Sequence, residues 1–434
     1  MKKNILQELP ELVHAGVITE EISEKISTYY ESKSSDSPNR LFIVFGILGA
    51  LLVGLGIILI IAHNWDNLNK PIKLFLALLP LLIGQGLCLF SLYKKSSSKA
   101  WRESSAVFLM LAVASSISIV SQVYNIKGNL GDFLFIWMLL SLPIIYLMRS
   151  SVTSLMFIVG ITWYACEVSY FHFFGRDTIA WWYWIFFLGL TPYYYRLFKQ
   201  ESTSNFFYFH SWLLALSLTI ALGMFRQAPT EFIPLAYLNL FASFLLFGQL
   251  NLHRSTRLIS NGFLIMGSIG TITLLLSLSF DWYWEEIMHT TSSFFQSTST
   301  TYAFMLSGLL ACLLLYSNGK EKSLSAINSK SFVFLVVFIL FLLGLQMPVV
   351  SQWLVNLLIF VIGVYTIYDG AMTNRISVLN YGLIIITALI ICRFFDTDMS
   401  FVVRGLLFMV VGAGFFFTNY WMIRKRNKTT VIQP

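Results

Sequence analysis

Apolar runs of membrane-crossing length, repeated from residue 41 almost to the C-terminus, constrain this chain more than any other feature. A helix that crosses hydrocarbon needs about 20 mostly apolar residues. Such stretches recur at 41–62, 72–93, 104–124, 133–148, 152–171, 179–198, 206–225, 231–250, 258–279, 301–317, 331–346, 349–368, 377–394 and 401–423. Charged residues make up 12% of the 434, about half the share found in soluble domains, so most of the chain has no need to face water. The expected fold class is all-α, a polytopic transmembrane helix bundle of about 14 spans. Short connectors join 133–148 to 152–171 and 331–346 to 349–368, which leaves a re-entrant member open in each pair.

Basic residues set the direction of threading. With the N-terminus inside, 17 Lys and Arg fall in the inner loops and tail and 7 on the opposite side. The remaining five lie in the N-terminal segment. Short loops rich in Lys and Arg stay in the cytoplasm, so both termini are expected there. The formal charge of +8 then reflects topology and gives no sign of a nucleic-acid partner. Acids run the other way: of the fourteen beyond residue 40, ten lie at outer ends.

Residues 1–31 read as a cytoplasmic helical hairpin. Ile5, Leu9, Leu12 and Val13 share one helical face, with Pro10 at a start or kink. Gly16 suits a C-cap, and Thr19 suits an N-cap with Glu20 and Glu21 in the first turn. Two such helices bury too little surface to stand alone, so docking on the membrane body, on a second copy or on a protein partner is expected. Residues 32–40 form a linker, 41–423 the bundle and 424–434 a basic cytoplasmic tail. The polar first 40 residues show no cleavable leader. Cys88, Cys166, Cys312 and Cys392 all lie in apolar spans with neither disulfide nor zinc spacing, so no metal or cofactor is expected.

Polar groups in lipid are costly and usually face protein or water. Here they gather towards the outer ends of the spans. Asn64, Trp65 and Asp66 close the first span, and Gln122, Tyr124 and Asn125 close the third, with Asp132 following. Glu167 lies about one turn inside the fifth span, and Arg393 and Arg404 bracket the last outer loop. These residues are the candidates for an outward-facing, substrate-binding cleft. Gln85 and Ser118, nearer mid-span, are candidate cavity-lining residues, although the small and hydroxyl residues around Ser118 also suit close helix packing. Trp282 and Trp284 fit an interfacial aromatic belt.

No P-loop, H-E-x-x-H or G-x-S-x-G motif is present, and no catalytic residue is assigned. Leu12 to Glu21 (LVHAGVITEE), His63 to Asp66 (HNWD) and Ser121 to Asp132 (SQVYNIKGNLGD), followed by Trp137 and Pro143, resemble an uncharacterised family of bacterial multi-pass membrane proteins. That family carries an N-terminal domain of unknown function. The resemblance implies a bacterial inner-membrane location and transfers no functional residue. The first functional expectation is a transporter or flippase-like carrier for an amphipathic or lipid-linked substrate. A membrane enzyme of glycosyl- or lipid-transferase type, acting at the outer face through Glu167 or Asp66, is an alternative. A non-catalytic sensor or assembly scaffold working through the hairpin is another.

Overall fold

The computed structural model describes residues 9–35, 67–170, 179–225, 232–250, 260–290, 298–321 and 329–396, with scattered positions between 402 and 416. Every regular element among them is helical. The chain forms two compact units, Met1–Leu76 and Ala77–Pro434.

In the first unit, α1 (9–14) and α2 (Glu20–Ser35) follow one another across a short turn, in the segment where a helical hairpin is expected. Gly16 takes φ +67 at its turn. Its N–H bonds to the Val13 carbonyl and that of Val17 to the Leu12 carbonyl, the paired closure that satisfies two orphan carbonyls of a helix end. Lys25 and Glu21 pair at 2.7 Å along α2. The helix runs on to Ser35, through residues read from sequence as linker, because no Pro or Gly precedes Pro38 to end it.

The remaining helices are α3 (Lys70–Lys94), which passes from the first unit into the second, α4 (Lys99–Val123), α5 (Leu130–Met148) and α6 (Ser151–Ser169). They continue with α7 (Trp181–Glu201), α8 (Asn205–Leu222), α9 (Phe232–Gly248) and α10 (Gly262–Leu278). The last are α11 (Asp281–Thr290), α12 (Thr298–Glu321), α13 (Val333–Gly344), α14 (Pro348–Met372) and α15 (Ile376–Asp396).

Among the described residues, eight helices are long and apolar enough to cross a membrane: α3 to α6, α8, α12, α14 and α15. Both members of the 133–148/152–171 pair are among them. The expectation of about 14 spans is therefore met only in part. The helices at 231–250, 258–279 and 331–346 are there but shorter than a usual span. The last of these has 12 residues. It starts from a 3-10 turn at Ser329–Phe332 and ends at Gly344, shortly before Pro348, whose ring cannot continue a helix. The first expected span, 41–62, and most of the last, 401–423, lie outside the described residues, as does the 424–434 tail.

The second unit is apolar on its surface and encloses several polar side chains within an apolar core. Ser141, Ser154, His210, Ser211 and Ser351 are fully buried. Leu306, Leu309, Leu313, Ile339 and Leu357 are exposed. A water-soluble fold would carry large exposed apolar surfaces only at interaction sites, and hydrocarbon is the solvent that this surface matches. One core joins Met138, Phe157, Tyr183, Phe186 and Phe241. Another joins Leu275, Trp284, Val337, Val355 and Ile359. Trp284 belongs to the second core: its indole N–H donates to the Leu278 carbonyl at 2.7 Å, so only Trp282 keeps the exposure an interfacial ring requires.

Candidate functional site

The α5–α6 turn organises the most polar region described. It consists of Arg149 and Ser150 alone. Arg149 closes α5 with φ 51 and ψ 45, the left-handed region that costs a residue with a Cβ about 1–2 kcal/mol. Ser150 caps α6 by accepting from the Thr153 N–H at 3.1 Å. The first turn of a helix leaves N–H groups without partners, and Glu103 of α4 supplies them. Its carboxylate accepts from the Ser151 N–H at 2.9 Å, the Val152 N–H at 3.0 Å and the Ser150 hydroxyl. Negative charge at this end also opposes the helix dipole favourably.

A seam of hydroxyls runs from this turn along the contact of α6 with α7 and α8. Ser151 Oγ meets Tyr193 Oη at 3.0 Å. Ser154 Oγ meets His210 Nε2 at 2.8 Å. Two turns on, Thr162 Oγ1 bonds Ser217 Oγ at 2.6 Å, which also holds Tyr183 Oη at 2.8 Å. His210 Nδ1 lies 2.7 Å from the Phe206 carbonyl. A carbonyl only accepts, so Nδ1 carries the proton and Nε2 accepts from Ser154. Ser154 and His210 are both fully buried, which denies a substrate the access that a nucleophile and base would need.

Pro192 shapes the α7 wall of this region. It cannot donate to the Leu188 carbonyl, and the Thr191 hydroxyl donates there at 2.7 Å instead. The Tyr146 hydroxyl donates to the neighbouring Gly189 carbonyl.

Beside the turn lies a cavity of about 250 Å³. Lys99 and Arg102 reach it from the start of α4, Arg149 from the turn, and Tyr193, Arg196 and Gln200 from the end of α7. Glu201 is the carboxylate of its wall, and it is matched by Lys99 at 2.9 Å. Arg196 Nε donates to Gln200 at 3.1 Å. Among the described residues, no carboxylate stands within ion-pair distance of Arg102, Arg149 or Arg196. The buried Nε of Arg102 has no hydrogen-bond partner.

The residues singled out from sequence lie elsewhere. Gln122, Tyr124, Asn125 and Asp132 are all exposed around the α4–α5 connection. Glu167 packs beside Gly131, next to Asp132, so α5 and α6 do bring these two carboxylates to one end. Arg393 is not joined to them in any described contact: it donates to Ser279 Oγ at 3.2 Å and lies over the Phe280 ring. The Ser279 carbonyl also accepts from Asn356 at 3.2 Å. Gln85 and Ser118 are exposed on α3 and α4. Asn64, Trp65, Asp66 and Arg404 fall outside the described residues. No group of metal-ligating side chains occurs among the described residues.

The basic cavity escaped the sequence reading because its cations, from Lys99 to Arg196, span 97 positions of the chain and each fits the bias of an inner loop. The available signal was Glu103 and Glu201, two of the four acids on the side otherwise rich in Lys and Arg.

Residues 10–154 match a family described as predicted membrane protein (DUF2157), an uncharacterised family, in keeping with the resemblance carried by the N-terminal motifs. The match includes Lys99, Arg102, Glu103, Arg149 and the first turn of α6, and stops short of α7 and α8. No curated protein and no solved structure matches the chain.

Proposed function

We propose that the protein is a carrier for an amphipathic or lipid-linked substrate, set in the bacterial inner membrane with both termini in the cytoplasm. The observation that supports this reading is the buried hydroxyl seam. Helices in lipid lack a hydrophobic force between them and associate through packing and hydrogen bonds. Hydroxyl pairs such as Thr162–Ser217 and Ser151–Tyr193 exchange partners at small cost. Such a seam lets α6 shift against α7 and α8 while its polar groups stay satisfied. Polar side chains retained inside a bundle mark substrate and ion pathways in membrane proteins. The exposed Gln122, Tyr124, Asn125 and Asp132, with the half-buried Glu167, then supply the polar surface at the other end, where cargo leaves or enters.

The test is translocation of an anionic phospholipid with a fluorescent tail in proteoliposomes, read by dithionite quenching from outside. A carrier exposes the inner-leaflet label to quenching, and the double variant Ser154→Ala/Thr162→Val slows that exposure. Full protection of the inner-leaflet label in proteoliposomes, as in protein-free vesicles, would refute the reading.

A further inference from the structure

We propose that the cavity between the start of α4, the α5–α6 turn and the end of α7 binds a phosphate group. This names a substrate chemistry for the carrier reading, and only the step after binding rests on that reading.

Cations in inner loops are expected in any membrane protein, so their number alone carries nothing. Their convergence does. Four cations from three separate places in the chain line one cavity against a single carboxylate, and that carboxylate is already held by Lys99. Lys99 also sits 5.2 Å from the Phe206 ring centre. Three guanidinium groups therefore border the space without an acidic partner among the described residues. Guanidinium is planar and offers parallel N–H donors that match two oxygens of a phosphate.

Two further features point to a ligand. The Arg102 Nε is buried and unsatisfied, and an unpaired charged donor costs more than a paired one once removed from water. Arg149 brings its guanidinium to the cavity from a left-handed position that Gly or Asn would fill at lower cost. Glu103 completes the arrangement. By accepting from the first turn of α6, it neutralises the helix end and leaves the arginines as the positive groups of the cavity. Apart from Leu197, the remaining lining groups, Ser151, Tyr193 and Gln200, add polar atoms suited to oxygen acceptors. The volume accommodates a phosphate or diphosphate head, while an acyl chain would have to remain outside.

The chemistry is the same for a lipid headgroup and a free phosphate compound, and titration separates them. Calorimetry on the full chain in nonionic detergent uses inorganic pyrophosphate, dioctanoyl phosphatidic acid and, as the phosphate-free control, dioctanoylglycerol. Saturable binding of a phosphate probe is expected, weakened at least about tenfold in Arg102→Gln/Arg196→Gln, the loss expected for charge-assisted hydrogen bonds. Tighter binding of the phosphatidic acid identifies a lipid headgroup, and tighter binding of pyrophosphate a soluble phosphate compound. A second measurement needs no variant: phenylglyoxal modification of Arg102 and Arg196 in the native protein, followed by mass spectrometry, should slow several-fold with the bound probe. Absence of saturable binding of both phosphate probes, equal affinity in the folded double variant, or unprotected arginines at saturating probe would each overturn the proposal. Failure of lipid translocation with binding intact would remove the carrier reading and leave this site standing.

Discussion

The α14–α15 hairpin and the α6–α8 contact solve one problem, holding helices together in lipid, by opposite means. In the hairpin, backbone meets backbone. A Cβ added at Gly382 would stand 2.7 Å from the Ile367 nitrogen and 2.9 Å from the Gly363 carbonyl, and one at Gly370 would strike the Leu379 backbone. Small residues that admit such approach are a common solution in membranes. Between α6 and α8 the helices meet through Ser154–His210 and Thr162–Ser217. The first arrangement leaves the two backbones no room to shift at Gly370 and Gly382. The second can exchange partners, and a charged cavity lies at its end. On the carrier reading, the glycine seam is the frame and the polar seam the part that changes.

The largest expected effect tests the frame. Gly382→Leu has no room and should cost about 3 kcal/mol or prevent folding, read as loss of the monodisperse peak and of thermal stability in detergent. A variant of ordinary stability would break the comparison. Glu103→Ala comes next. It strips partners from two first-turn amides and a cap hydroxyl, and should cost about 2 kcal/mol by thermal unfolding. Ser154→Ala should cost less, about 0.6–1 kcal/mol, the range of single interhelical hydrogen bonds in a bilayer protein. A penalty as large as that of Gly382→Leu would mean the polar seam is as rigid as the glycine one. The smallest effect has the opposite sign. Arg149→Gly relieves the left-handed turn and should be neutral or stabilising by up to about 1 kcal/mol, yet weaken phosphate binding in the same preparation. Destabilisation there would show that the turn needs the arginine for folding.

Much of the architecture was legible because hydropathy and capping are local. The helices from 72–93 to 377–394 follow from runs of Leu, Ile, Val and Phe. Gly16 announced the hairpin turn through the conformation that only glycine adopts cheaply. Length was less legible: nothing in the apolar run 331–346 reveals that only Val333–Gly344 is α-helical, since the limits depend on a 3-10 start and on Pro348. The site was least legible. Arg102, Arg149 and Arg196 become one cavity only through the packing of α4, α5 and α7, and the pairing of Ser154 with His210 spans 56 positions. A single sequence carries no record of such distances. Polar residues clustered within the chain, such as Gln122, Tyr124 and Asn125, stand out in a sequence, and they share an exposed end because they are neighbours.

The short helices carry one more consequence. Helices α9 and α10 have 17 residues each and α13 has 12, about 26, 26 and 18 Å at 1.5 Å per residue. Helix α9 touches both of the others. Helices α3, α4 and α14 have 25 residues, about 38 Å, whereas the oily interior of a bilayer is about 30 Å thick. Helix α9 is mostly buried against protein, but α13 exposes Val336, Ile339 and Leu342, and lipid tails beside α13 must compress or splay to keep its ends wet. The molecule therefore wears an uneven belt, and it should prefer shorter acyl chains. A membrane dimpled on one flank also shortens the journey for any headgroup passing from leaflet to leaflet there.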